Sequence, residues 1–184
     1  AILIKMQQEQ ERFKRELEIA REVQQRLLPR VMPEINGFEI DGFCRSAQEV
    51  GGDYFDFFRL DDNHLGIVIA DVSGKGTSAS FYMAEIKGMM LQLAPRIKSP
   101  SRLLSEINHF LYNIGDRHLF VTMIYGVLKV STGEFKFSRA GHNSLLQVTS
   151  TGKYQFLTPS GIGVGLDSGR LFLQEIEEST VKLS

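Results

Sequence analysis

Hydrophobic residues recur along this chain in two rhythms, and the change from one to the other divides it. From residue 1 to about 28 they fall at alternating spacings of 3 and 4, with Leu3, Gln10, Leu17 and Gln24 at one seam position and Met6, Phe13, Ala20 and Leu27 at the other. The stretch holds no glycine or proline and stops at Pro29. This predicts one long helix whose stripe suits a two-helix coiled coil. Glutamine at one seam position weakens such a pair while fixing its register, which suits a signalling linker. The alternative is an amphipathic helix packed on its own domain.

After Pro29 and Pro33 the rhythm turns to strands. Phe38 to Arg45 leads into two apolar runs, Tyr54 to Leu60 and Leu65 to Ala70, separated by Asp61-Asp62-Asn63-His64. Such a pair reads as a hairpin. A helix is expected from Thr77 or Ser78 to Leu93, with Ala79, Met83, Ile86, Met90 and Leu93 as its apolar stripe. Pro95 and Pro100 break it, and Ser101 to about Ile114 forms a second helix presenting Leu103, Leu104, Ile107, Phe110 and Leu111. Leu119 to Val130 is apolar on both alternating faces, as a strand buried between two layers would be. Glu134 to Arg139, Leu145 to Val148, Tyr154 to Leu157 and Leu171 to Ile176 continue the strand pattern. Strands, a helical pair and more strands with tight turns predict an α+β layered domain rather than a doubly wound parallel sheet.

Composition narrows the classes. A chain of 184 residues, 42% of them hydrophobic, supplies the core of one domain plus an appendage. The net charge of -1 gives no general attraction to nucleic acid or anionic lipid. A single cysteine, Cys44, rules out an internal disulfide and a cysteine-rich zinc site, in keeping with a reducing, cytoplasmic compartment. No apolar run approaches the length of a membrane-spanning helix.

Candidate chemistry centres on Gly51-Gly52-Asp53-Tyr54-Phe55-Asp56 and Ala70-Asp71-Val72-Ser73-Gly74-Lys75-Gly76. In the expected hairpin Asp53 precedes the first strand and Asp71 ends the second, so both carboxylates fall at one end of the sheet. Two carboxylates beside glycines suit a hard cation such as Mg²⁺ or Mn²⁺. The competing reading makes Asp53 a turn residue and Asp71 a cap. Gly74-Lys75-Gly76-Thr77 departs from a P-loop, because position 69 is Ile and Gly76 follows Lys75. A helix starting there still aims backbone N–H groups at an anion. His142, in Arg139-Ala140-Gly141-His142-Asn143, sits in a polar break and reads as an organiser of its loop, the alternative being that it faces the site. His64, His109 and His118 show no zinc spacing, and Gly161 to Leu166 reads as a loop rather than a dinucleotide fingerprint.

Taken together, Glu49-Val50-Gly51-Gly52-Asp53-Tyr54-Phe55-Asp56, Ala70 to Gly76, Phe120-Val121-Thr122-Met123, Arg139 to Asn143 and Gly163-Val164-Gly165-Leu166 resemble the SpoIIE/RsbU branch of bacterial PPM-type serine/threonine phosphatases. The likeness covers about residues 35 to 170, and the helix ending in Gln24-Gln25-Arg26-Leu27-Leu28-Pro29 resembles that family's linker. The resemblance implies an α-β-β-α sandwich of two antiparallel sheets flanked by helices. It also implies two Mn²⁺ or Mg²⁺ ions that share a water, which attacks phosphoserine or phosphothreonine without a covalent enzyme intermediate. Asp53 and Asp71 would then be catalytic metal ligands, with Val72 adding its backbone carbonyl. The implied partners are a phosphorylated STAS-domain anti-anti-sigma protein, whose dephosphorylation frees a sigma factor in partner switching, and an upstream sensor. A homodimer through the N-terminal helix is also implied, with the helices from Thr77 to Ile114 as the regulatory element.

On this reading residues 1–30 are a coiled-coil linker, and 31–184 are a phosphatase domain missing its C-terminal part. The family carries further metal aspartates in a downstream Asp-Gly motif and a later acidic pair, whereas this chain ends at Thr180-Val181-Lys182-Leu183-Ser184. The expectation is a fragment holding about half of the metal site, inactive or impaired by itself. The competing expectation is a non-catalytic module of the same fold that binds a phosphoprotein or transmits a signal.

Overall fold

The computed structural model describes residues 2–45, 49–114 and 119–183; His118 lies outside them. Helix α1 spans Ile2–Leu27, followed by strands β1 (Asp53–Asp61) and β2 (His64–Val72), and helices α2 (Gly76–Leu93) and α3 (Pro100–Ile114). Strands β3 (Val121–Lys129), β4 (Glu134–Ala140), β5 (Leu145–Val148) and β6 (Tyr154–Leu157), helix α4 (Arg170–Glu175) and strand β7 (Ser179–Lys182) complete the chain. Five strands form an antiparallel sheet in the order β1-β2-β3-β4-β7, while β5 and β6 pair as a separate two-stranded sheet.

Alternation along β1 and β2 gives the sheet two different faces. Tyr54, Asp56, Phe58, Val68, Ala70 and Val72 are buried beneath the helices. There they join Ala79, Met83, Ile86 and Met90 of α2 and Leu103, Leu104 and Ile107 of α3 in the main core. The opposite face carries Leu65, Ile124, Leu128, Phe135 and Phe137, covered by Leu145 and Leu157 of the small sheet and by Ile35, Phe38 and Ile40. Strand β3 lies between both layers, which accounts for its nearly continuous burial.

A charged contact crosses the helix-facing core. Lys87 of α2 meets the buried Asp56 carboxylate at 2.6 Å, and the Tyr54 hydroxyl donates to the same oxygen at 3.0 Å. Burial, reinforced by Asp56, pushes the Tyr54 phenol far above its usual range. Asp56 therefore ties α2 to β1, and it points away from the face that carries Asp53.

Two expected strands take other forms. Phe38 to Arg45 forms no strand, and only an isolated bridge joins Ile35 to Phe38. Its path explains this, because a Cβ on Gly42 would stand 2.8 Å from the Phe55 ring. The segment thus crosses the face of the sheet, where its backbone cannot enter the ladder. Leu171 to Ile176 begins as helix α4 because the Asp167 carboxylate accepts from the N–H groups of Gly169, Leu171 and Phe172. Those bonds cap the helix and hold Asp167 below the usual carboxylate range. Phe172 and Ile176, one helical turn apart, then face the core. Helix α2 also starts earlier than expected, at Gly76, and its N-cap residue Lys75 makes no side-chain capping bond.

Glu178 fastens the segment before β7 to the start of α3. It accepts from the Ser99 hydroxyl at 2.5 Å and from the Ser101 N–H and hydroxyl, and it pairs with Lys136 at 2.9 Å. Partial burial opposes its charge, but the bonds from Ser99, Lys136 and Ser101 prevail and hold the carboxyl down to about 2. Stabilisation from a depressed carboxyl is present above its unfolded value and disappears as pH falls through the folded one. Glu178→Ala is expected to cost about 1 kcal/mol at pH 7, lowering Tm by roughly 2–4 °C. Thermal melts should show the difference from the parent chain closing as pH falls from about 4.5 toward 2.

Candidate functional site

The β1–β2 turn is short, and the Asn63 N–H donates to Asp61 Oδ1 at 2.8 Å. After a one-residue irregularity between Asp61 and Arg59, the register runs without interruption from Arg59↔Leu65 to Asp53↔Asp71. Strand β3 continues the row by placing Thr122 opposite Asp71. Three neighbouring strands thus present Asp53, Asp71 and Thr122 side by side on the face away from α2 and α3.

The loop after β4 closes over this row. Gly141 forms a parallel bridge with Met123, and its N–H donates to Gly161 O at 2.9 Å. Arg139 binds the carbonyls of Pro159 and His142, fixing the turn on which His142 sits. His142 Nδ1 then meets Thr122 Oγ1 at 2.8 Å. Burial lowers the imidazole pKa below the ordinary histidine value, although Asp71 and Asp53 pull it upward. The result is a concave mouth of about 560 Å³ whose lining includes Asp53, Asp71, His142, Asn143, Phe43 and Arg45.

Close packing holds the carboxylates in place. A Cβ on Gly52 would lie 2.6 Å from the Val72 carbonyl oxygen, so only glycine permits this approach. The Val72 N–H donates to Gly52 O at 3.3 Å. The two chain segments bearing Asp53 and Asp71 are therefore in direct backbone contact. Beyond Val72, Ser73 donates its N–H to Phe120 O and accepts the Phe120 N–H on its hydroxyl, joining the loops at the ends of β2 and β3.

Partial desolvation raises the Asp71 pKa, and the negative charge of Asp53 raises it further, against the opposite pull of His142. Two carboxylates that disfavour each other's charge favour a cation between them. An all-oxygen set of Asp53, Asp71 and the Val72 carbonyl suits Mg²⁺ or Mn²⁺ rather than a thiol-seeking metal. Among the described residues, no group of three or more His, Cys, Asp and Glu side chains is arranged to hold a metal ion. The fit therefore extends to a partial oxygen-ligand site.

Of the residues singled out by sequence, Asp53, Asp71 and Val72 come together, and His142 joins them at the mouth. Lys75 stands exposed at the start of α2. His64 bonds with Asp61 at the far hairpin turn, and His109 lies on α3 beside Asn113. Sequence reasoning gave no role to Thr122. Its signal was the register, which needs the pairing of β2 with β3 before Thr122 can be set against Asp71.

Comparison with known proteins agrees with this architecture. The family model described as Stage II sporulation protein E (SpoIIE) matches residues 61–184, a span that includes Asp71 and Val72 and begins after Asp53. The phosphoserine phosphatase RsbU of Bacillus subtilis is 35% identical over 133 residues, covering 72% of this chain and 39% of RsbU. The SiaA-PP2C domain of Pseudomonas aeruginosa superposes with a TM-score of 0.73 at 14% identity, covering 95% of this chain and 69% of that one. RsbX in complex with magnesium gives a TM-score of 0.59 at 17% identity, over 75% of this chain and 63% of that one. These two structures share the mixed helix and antiparallel-sheet fold. The chain spans less than half the length of the curated relatives it matches.

Removing one of the facing charges is expected to stabilise the cation-free fold. Asp71→Asn should raise Tm at pH 7 by about 1–2 °C, corresponding to roughly 0.5 kcal/mol. The gap should open as pH rises through the elevated Asp71 pKa and close below about 4. Millimolar Mn²⁺ should raise the melting temperature of the parent chain and leave that of Asp71→Asn unchanged.

Proposed function

Because the chain belongs to the Stage II sporulation protein E (SpoIIE) family, we propose that it is part of a divalent-metal-dependent phosphatase acting on phosphoserine or phosphothreonine of a partner protein. The observation that carries this reading is the facing of Asp53 and Asp71 across one antiparallel register, with Val72 next to Asp71 at the end of β2. Asp53, Asp71 and the Val72 carbonyl are the residues that would hold the cation. A divalent cation bound there supplies charge neutralisation for phosphoryl oxygens and lowers the pKa of bound water.

The chain's own residues prepare the mouth for such a substrate. Gly52 and Val72 hold the acidic segments together, so little rearrangement is needed to gather the oxygens. Thr122 orients His142 at the rim, and Arg45 contributes a positive charge to the same lining. A phosphorylated side chain entering the mouth would meet these donors opposite the carboxylates. The RsbU relative, named a phosphoserine phosphatase, supports a phosphoserine substrate, and the RsbX magnesium complex supports a hard divalent ion. A STAS-domain phosphoprotein is the substrate we propose, with 1–30 acting as linker and 31–184 belonging to the phosphatase domain.

The test uses a chain extended through the family's downstream acidic motifs, a phosphoserine STAS-domain protein and Mn²⁺, with inorganic phosphate as readout. Phosphate release is expected, and Asp71→Ala should reduce it by about 100-fold or more, at least as much as losing an outer-shell partner of a metal site costs. No release from the unsubstituted extended chain would reject the phosphatase reading in favour of a binding or signalling module.

Helix α1 is the proposed dimer element. Leu3, Met6 and Phe13 are 81%, 61% and 61% exposed, so this part of the seam is left uncovered by the described residues. Leu27, by contrast, packs against the main core. A second copy in parallel register would cover the exposed positions. Sedimentation should show a dimer that becomes a monomer when Met6 and Phe13 are both changed to Lys. A dimer surviving that double change would remove α1 as the interface.

A further inference from the structure

We propose that Gln24 is a positioning residue for the site, acting as a clasp between the last turns of α1 and the loop that delivers Asp53. The inference rests on the cation reading of Asp53 and Asp71. Gln24 is the buried residue of α1, only 7% exposed on a helix whose other side chains are exposed or partly so. Its amide carries a donor and an acceptor, and both are spent on one residue. Gln24 Nε2 donates to Gly51 O at 2.5 Å, and the Gly51 N–H donates to Gln24 Oε1 at 3.1 Å.

Gly51 lies just before β1, outside the strand ladder. The Gln24 side chain stands in for the missing strand and satisfies both backbone groups of Gly51. The next residue, Gly52, is gripped from the other side by Val72, through the 3.3 Å backbone bond and an approach that admits no Cβ. Asp53 follows directly. The peptide leading to this carboxylate is therefore fixed between α1 and the end of β2 that carries Asp71 and Val72. An apolar side chain at position 24 would fill similar space beside Leu27 and Leu28, but it would leave Gly51 unheld. What the amide adds is the placement of Asp53 relative to Asp71.

The test compares Gln24→Met, which keeps volume and removes both bonds, with the exposed control Gln25→Met. Three readouts are taken on the 184-residue chain: amide hydrogen exchange at residues 51–53, Mn²⁺ titration and thermal melting. Gln24→Met should speed exchange at 51–53 by about 10-fold or more relative to the control while leaving exchange in β3 unchanged. It should also weaken Mn²⁺ binding by about 10-fold, the low end of the effect of losing an outer-shell partner. Gln24→Asn, which keeps the amide and shortens its reach, should show the same losses.

Exchange and Mn²⁺ affinity equal to the Gln25→Met control would overturn the clasp. So would global unfolding of both Gln24 variants, which would assign the residue to stability alone. If the parent chain takes up no Mn²⁺, the cation reading fails separately, and exchange at 51–53 alone decides whether the clasp exists.

Discussion

The site depends on strand register. Side chains alternate faces every residue, so a slip of one position between β1 and β2 would send Asp53 toward the helices or Asp71 into the core. Two features prevent that slip. The short turn, pinned by the Asn63 bond to Asp61, closes the hairpin, and the irregularity between Asp61 and Arg59 sets the register that runs on from Arg59↔Leu65. The asymmetric burial of the two faces enforces it along the strands, because Tyr54, Phe58, Val68 and Ala70 lose a large apolar burial if they turn outward. The hydrophobic core thus determines where two charged groups meet, although neither belongs to it.

The same strand handles its acidic residues in opposite ways. Asp56 is buried, neutralised by Lys87 and hydrogen-bonded by Tyr54, and removing Lys87 would leave an uncompensated charge at a cost of about 3 kcal/mol or more. Asp53 and Asp71 remain accessible and have no protein cation among the described salt bridges. Asp56 is therefore a fastener between α2 and β1, whereas Asp53 and Asp71 form an electrostatic deficit that the proposed cation would relieve. A site for a cation has to be left unsatisfied by the fold, and the raised Asp71 pKa expresses that deficit.

Most of the architecture was legible because it rests on local rhythm. The β1–β2 hairpin, the α2 stripe of Ala79, Met83, Ile86 and Met90, and the doubly buried β3 all follow from the periodicity of their own residues. The misread segments depended on something outside themselves. Leu171 to Ile176 alternates well enough for a strand, but the carboxylate of Asp167, placed ahead of it, caps a helix. Phe38 to Arg45 has suitable side chains but lies across the face of the sheet, over Phe55, instead of pairing along the edge of β1. Within the site, Asp53 and Asp71 were visible from the hairpin alone. Thr122 required the pairing of β3, and the contact of His142 with Thr122 required the loop held by Arg139.

Helix α1 shows why periodicity alone could not choose between its two readings. A heptad stripe specifies a face and leaves open what covers it. Along the first half that face is exposed, with Leu3, Met6 and Phe13 uncovered, whereas near the end Leu27 and Leu28 reach the domain core. Gln24 sits at this change of partner. At a coiled-coil seam a glutamine is a stability cost tolerated for register. Against Gly51 its two polar groups are both satisfied, so the same residue is well suited to the domain and poorly suited to a second helix. The polarity that looked like a flaw in the stripe marks where the exposed part of the seam ends and contact with the Asp53 loop begins.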